Sequence, residues 1–61
     1  MADLTTKELD ALTDQLNYER MMACKYDAAR KSCVDAAICG IYDQYASQHR
    51  QNYTDLLNYL K

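Results

Sequence analysis

The stretch from residue 38 to residue 60 constrains the fold most, because its apolar side chains recur at steps of three and four residues. This spacing lines one side of an α-helix. The opposite side is polar, so the stretch predicts a strongly amphipathic helix whose apolar stripe must be covered. The predicted stripe consists of Ile38, Tyr42, Tyr45, His49, Tyr53, Leu56 and Leu60.

A first helix is predicted upstream, from about residue 6 to about residue 31. Thr5 and Glu8 have the spacing of a capping box, in which each side chain binds the backbone amide of the other residue. No proline interrupts this segment. Its inner stripe again alternates steps of three and four, as helix-bundle seams do. That stripe consists of Leu9, Leu12, Leu16, Glu19, Ala23, Tyr26 and Arg30.

The connection at residues 31–35 is short. Either Ser32 or Asp35 has the chemistry to cap the second helix, which is predicted from about residue 35 to about residue 60. A turn of a few residues places two helices side by side and antiparallel. The sequence therefore predicts an all-α protein, with residues 1–61 forming a single helical-hairpin domain.

The chain is too short to bury a large apolar surface on its own. A domain of this size removes only about 60% of its unfolded surface from water. Two hairpins packed as an antiparallel four-helix bundle cover the wide apolar stripes economically. We therefore expect a homo-oligomer, in the form of a dimer. The expected interface and core residues are Leu9, Leu12, Leu16, Ile38, Tyr42, Tyr45, Tyr53, Leu56 and Leu60.

Composition argues against several classes of partner. The net charge is −2 and no basic patch is present, so neither nucleic acid nor an anionic membrane surface is an expected partner. No uncharged apolar run reaches the roughly 18 residues that a membrane span needs, and no signal sequence is recognised. A cytoplasmic location is therefore expected.

The three cysteines, Cys24, Cys33 and Cys39, form no Cys-x-x-Cys pair, so a zinc knuckle is not indicated. In a reducing cytosol we expect three free thiols that pack as small hydrophobic side chains. The alternative is intermolecular cross-linking under oxidising conditions.

Glu19 and His49 are the candidate site. If the turn centres near residue 33 or 34, Glu19 lies opposite residues 47–49, and the carboxylate meets the imidazole in the seam. One interpretation is a buried hydrogen-bonded pair. The other is a metal site, since a twofold-related dimer supplies two glutamates and two histidines, enough for one ion. We favour the structural pair and expect no cofactor. No nucleophile–base–acid set or phosphate loop is recognised, so no enzymatic activity is expected.

The chain resembles a known family in two segments. The opening LTTKELDALTDQLNYERMM, Tyr26 and the ending ASQHRQNYTDLLNYL are similar to the short coat-F-type spore coat proteins of endospore-forming Firmicutes. The family pattern His-x-x-His-Tyr followed by Leu-Leu matches His49, Tyr53, Leu56 and Leu57, with Asn52 in place of the second histidine. The family's helix-start proline is also missing, since Ala36 follows Asp35.

This resemblance implies a ferritin-like helical hairpin or bundle and a structural role in the spore coat. It also implies production in the sporulating mother cell and contact with other coat proteins. It implies no catalytic mechanism, and Asn52 weakens a metal-binding role. A metal-binding ferritin-like mini-bundle is the alternative function.

A second resemblance concerns residues 7–10. The sequence KELD is similar to the Gln-Glu-Leu-Asp core of the small helical-hairpin phosphatases that act on a phosphorylated sporulation regulator. In that family the motif lies in the second helix, whereas here it opens the first. A regulatory phosphatase is therefore the third functional hypothesis.

Overall fold

The computed structural model describes residues 3–61, which form two antiparallel α-helices. Helix α1 spans Thr6–Lys31 and helix α2 spans Ala36–Leu60, and the two pack against each other. Neither a strand nor a third helix occurs in this part of the chain. The prediction of an all-α helical hairpin is confirmed, and the predicted helix boundaries agree with the structure to within a residue.

Local side-chain chemistry defines the start of α1. The Thr5 hydroxyl accepts a hydrogen bond from the Glu8 amide at 3.1 Å, and the Glu8 carboxylate accepts one from the Thr5 amide at 3.1 Å. Both halves of the predicted capping box are therefore present. The acidic cap also complements the positive end of the helix dipole, while Arg30 and Lys31 complement the negative end.

Helix α2 is capped by Asp35, one of the two residues that the sequence offered. Its carboxylate accepts a hydrogen bond from the Ile38 amide at 3.1 Å. The connection is thus only residues 32–35, which is short enough to hold the two helices side by side.

A disulfide bond between Cys33 and Cys39 closes the turn against the start of α2. Their Cα atoms lie 5.6 Å apart, a usual separation for a disulfide. The expectation of three free thiols is thus corrected, since only Cys24 is free, and it is exposed. Free thiols were expected because the cytosol is reducing. The disulfide forms because the turn brings Cys33 and Cys39 together.

The seam between the helices is narrow and lined by small side chains. Ala23 of α1 and Cys39 and Ala46 of α2 are buried. Around them, six of the predicted core residues are half-buried: Leu12, Leu16, Tyr42, Tyr53, Leu56 and Leu60. Among the residues that the structure describes, no large side chain is fully buried.

Three of the predicted interface and core residues are exposed in the single hairpin, so their place in a dimer interface stays a prediction. Leu9, Ile38 and Tyr45 are 48%, 46% and 50% exposed. The buried residues of α2 are Cys39 and Ala46, each one position after a residue of the predicted stripe. The apolar stripe is wider than one neighbouring helix can cover, so its outer edge remains in water.

The hairpin is elongated. Its radius of gyration is 14.3 Å, whereas a compact domain of this length has about 10.5 Å. Neither helix, within residues 3–61, is long and apolar enough to cross a membrane.

Candidate functional site

The Glu19 carboxylate lies at the centre of the hairpin. Its residue is 5% exposed and is the one buried charged residue within the described range 3–61. His49 Nδ1 lies 2.5 Å from Glu19 Oε1, which is a short hydrogen bond. Because a four-residue turn fixes which residues of the two helices are level, the predicted meeting of Glu19 and His49 is confirmed.

Two amides complete the surroundings of the carboxylate. Gln15 Nε2 donates to Glu19 Oε2 at 2.9 Å. Asn52 Nδ2 lies 3.3 Å from Oε1 and 3.5 Å from Oε2. Sequence reasoning missed both partners. The available signal was spacing, because Gln15 lies one helical turn before Glu19 and Asn52 lies one turn after His49.

Tyrosine rings surround the imidazole. The Tyr26 ring lies nearly parallel to that of His49, at an angle of 6° and a centroid distance of 6.0 Å. Tyr18 presents its edge at 83° and 6.0 Å. Tyr26 also contacts Tyr42 and Tyr45, with centroid distances of 5.9 and 5.2 Å. The imidazole is therefore held in place by aromatic packing as well as by the carboxylate.

Hydrogen bonding keeps Glu19 ionised. The hydrogen bond from His49 lowers the pKa of Glu19 below its ordinary value of 4.5, and the amides of Gln15 and Asn52 lower it further. Burial opposes this effect because it raises the pKa of Glu19, but the net shift of the pKa is downward. The carboxylate is therefore an acceptor for three side chains, His49, Gln15 and Asn52, and its charge is used inside the hairpin.

The donor set of this cluster is a poor match for a metal ion within one chain. Both oxygens of Glu19 already accept hydrogen bonds, and His49 Nδ1 is engaged with one of them. Residues 3–61 contain no group of three or more His, Cys, Asp or Glu side chains placed to hold an ion. Metal binding at Glu19 and His49 stays a prediction that needs ligands from a second copy.

The side of the hairpin away from Gln15 and Asn52 is charged. Arg50 Nη1 donates to both oxygens of Asp27, at 3.0 and 2.8 Å. Arg30 Nε pairs with Asp43 Oδ2 at 3.2 Å. These four side chains are about half exposed, so each pair adds little stability. On this surface the charged side chains are paired with each other and remain in contact with water.

The fold and this cluster define a helical hairpin with a central, hydrogen-bonded glutamate–histidine pair. Comparisons with protein-family models, with curated proteins and with solved structures find no match to this chain. Its function is therefore argued from its own surfaces.

Proposed function

We propose that this chain is a non-catalytic structural subunit that self-associates into a four-helix bundle. The observation that carries the proposal is two rows of side chains on one side of the hairpin, whose large apolar members on the second helix remain about half exposed. We call this side the heptad face, because its members recur every seven residues. They are Glu8, Gln15, Met22 and Ala29 of α1, and Ile38, Tyr45, Asn52 and Tyr59 of α2.

Contacts show that the two rows lie on the same side. Gln15 and Asn52, one from each row, both donate to the Glu19 carboxylate. The pair Asp27 and Arg50, which follow the seam residues Tyr26 and His49 in sequence, meets on the other side. The hairpin thus has a charged side and a side rich in apolar and aromatic groups, as one half of a bundle does.

The apolar members of the heptad face on α2 are unusually open to water. Ile38, Tyr45 and Tyr59 are 46%, 50% and 59% exposed. The chain exposes 4717 Å² in total, whereas a monomeric protein of 7.1 kDa exposes about 4100 Å². The excess of about 600 Å² belongs to the whole surface of the elongated hairpin, and it is of the same order as the ~800 Å² that each partner buries in a standard interface. A second copy of this chain presents an apolar face of the same size and chemistry, so we infer that it covers the heptad face.

The site supports a structural role for Glu19 and His49. Among residues 3–61, no buried side-chain nitrogen or oxygen lacks a hydrogen-bond partner. A fully satisfied polar cluster stabilises one arrangement of the helices and disfavours slippage. This function needs neither a substrate nor a cofactor.

We extend the proposal to the setting that the sequence resemblance implies. The resemblance of both ends of the chain to coat-F-type proteins supports a place in the spore coat, built from subunits made in the mother cell. Other coat proteins are then further partners. The Cys33–Cys39 disulfide agrees with a protein that ends in oxidising surroundings.

Sedimentation of the purified chain tests self-association. At micromolar concentration we expect a species of twice the 7.1 kDa chain mass. The double variant Ile38→Gln/Tyr59→Gln should be monomeric under the same conditions. It removes four half-exposed side chains per dimer at about 1 kcal/mol each, so the dissociation constant should rise about a thousandfold.

The control variant is Met21→Gln/Val34→Gln. These residues are 61% and 97% exposed but lie outside the heptad face, so the dimer should persist. Far-UV circular dichroism checks that both variants remain helical. A folded monomer in the unmodified chain, or equal weakening by both variants, contradicts the proposal. A fluorescent fusion that fails to reach the coat of sporulating cells contradicts the proposed setting alone.

A further inference from the structure

Two hairpins can join their heptad faces in two ways, and these differ in where the turns lie. If the twofold axis runs along the bundle, both turns lie at one end and α2 of each copy packs against α1 of the other. If the axis runs across the bundle, the turns lie at opposite ends, so α2 packs against α2 and α1 against α1. In both, all neighbouring helices are antiparallel.

We propose that two copies of this chain pack with both turns at the same end of the bundle. The inference rests on the proposed self-association and adds the orientation of the partner. It follows from the order of side chains along the two rows of the heptad face.

Levels along the hairpin are fixed by its own contacts. Gln15 and Asn52 lie level with each other, because both donate to Glu19. One heptad closer to the turn, Met22 is level with Tyr45. One heptad further, Ala29 is level with Ile38.

With the turns at one end, a residue of α2 meets the α1 residue of the same level in the other copy. Tyr45 then meets Met22, and the amide of Asn52 meets the amide of Gln15. Ile38 packs over Ala29, whose small side chain leaves room for it. At these three levels apolar groups meet apolar groups and amides meet amides, while at the fourth level Tyr59 meets Glu8.

With the turns at opposite ends and full overlap, the two central levels match badly, although Ile38 of one copy meets Tyr59 of the other at the ends. Tyr45 of one copy faces Asn52 of the other, and Met22 faces Gln15. Each contact sets an amide against a large apolar side chain, so polar groups lose water without gaining hydrogen bonds. This difference selects the first arrangement.

Distance measurement by pulsed electron spin resonance distinguishes the two. A spin label is attached at Lys7→Cys in a Cys24→Ser background, with the Cys33–Cys39 disulfide intact. Lys7 is exposed and precedes the central Glu19 by 12 residues. With the turns at one end, the two labels are separated by the bundle width alone, about 20–25 Å.

With the turns at opposite ends, the two labels add about 36 Å along the axis, so their separation is about 40 Å or more. Lys61→Cys, which is 12 residues beyond His49, should give the same result independently. A short distance from both labels supports the inference. A long distance overturns the orientation but keeps the dimer, whereas a labelled chain that sediments as a monomer overturns the proposed function itself.

Discussion

Replacing Glu19 by Gln removes one charge from the centre of the hairpin and keeps the shape of the side chain. The wild-type carboxylate accepts hydrogen bonds from His49 at 2.5 Å and from Gln15 at 2.9 Å. Hydrogen bonds to a charged group contribute about 1.5–3 kcal/mol. An amide can still bond to these neighbours, so we expect a loss near the lower end, about 2 kcal/mol at pH 7.

A loss of that size is large for this chain. A domain of 61 residues has a free energy of unfolding of about 3–9 kcal/mol. Urea unfolding followed by far-UV circular dichroism, at a single protein concentration for both proteins, therefore resolves the difference.

The pH dependence gives the sharper test. The folded-state pKa of Glu19 lies below its ordinary value of 4.5, chiefly because of the hydrogen bond from His49. A lowered pKa gives stability that is present above the unfolded pKa and is lost as the pH falls through the folded one. The difference between wild type and Glu19→Gln should therefore be full at pH 7 and shrink below about pH 4.5.

A second carboxylate must be separated from the first. The pKa of Glu8 is also lowered, by the hydrogen bonds with the backbone and side chain of Thr5. The double variant Glu8→Gln/Glu19→Gln should thus be less sensitive to acid than Glu19→Gln alone. Equal stability of wild type and Glu19→Gln at pH 7, or a difference that is unchanged at pH 3, would refute the role given to this carboxylate.

Two further predictions concern the disulfide bond and Gly40. Reducing the Cys33–Cys39 disulfide, which spans a sequence separation of 6, should lower the free energy of unfolding by about 2 kcal/mol through loop entropy. Urea unfolding with and without a dithiol reductant measures this, and Cys33→Ser/Cys39→Ser should not respond to the reductant. Gly40→Ala should raise stability by about 0.5–1 kcal/mol, because Gly40 is inside α2 and, beyond its chain neighbours and the local helix backbone, no atom lies within 4 Å of the added methyl group. A loss of stability in the same urea assay would show that another chain covers this position.

The helices themselves could be predicted because their signals are local. The Thr5–Glu8 capping box lies within one helical turn, and so does the Asp35 cap. Each is read from neighbouring residues without knowledge of the fold. The opposition of Glu19 and His49 could also be predicted, because a short turn leaves little freedom in the register of the two helices.

The burial of individual stripe residues could not be predicted as well. Periodicity gives the direction of an apolar stripe but not how much of it one partner covers. Ile38 and Tyr45 lie toward the edge of the stripe and are exposed, while Cys39 and Ala46 face α1. Small side chains let the helices approach closely. A hydrophobicity pattern does not identify them as contact residues, because it gives most weight to large apolar side chains.

The partners of the carboxylate were missed for a different reason. Gln15 and Asn52 are residue types that usually face water, so the sequence assigns them to the surface. Both lie at the edge of the seam, from which an amide reaches inward to Glu19. The Cys33–Cys39 disulfide was missed because compartment was used to judge redox state, whereas the turn geometry decides the pairing.

The composition of the seam connects the polar cluster to self-association. The buried apolar residues, Ala23, Cys39 and Ala46, are all small. They remove little surface from water, because hydrophobic stabilisation is roughly proportional to the apolar area buried. Larger aromatic and aliphatic groups lie at the edge of the seam and on the heptad face, where Ile38, Tyr45 and Tyr59 remain exposed in one copy and are buried by a second. Excluding water from that face also lowers the dielectric constant around Glu19 and His49, which strengthens their contact. Burial between chains and hydrogen bonding within the chain therefore favour the same assembled state.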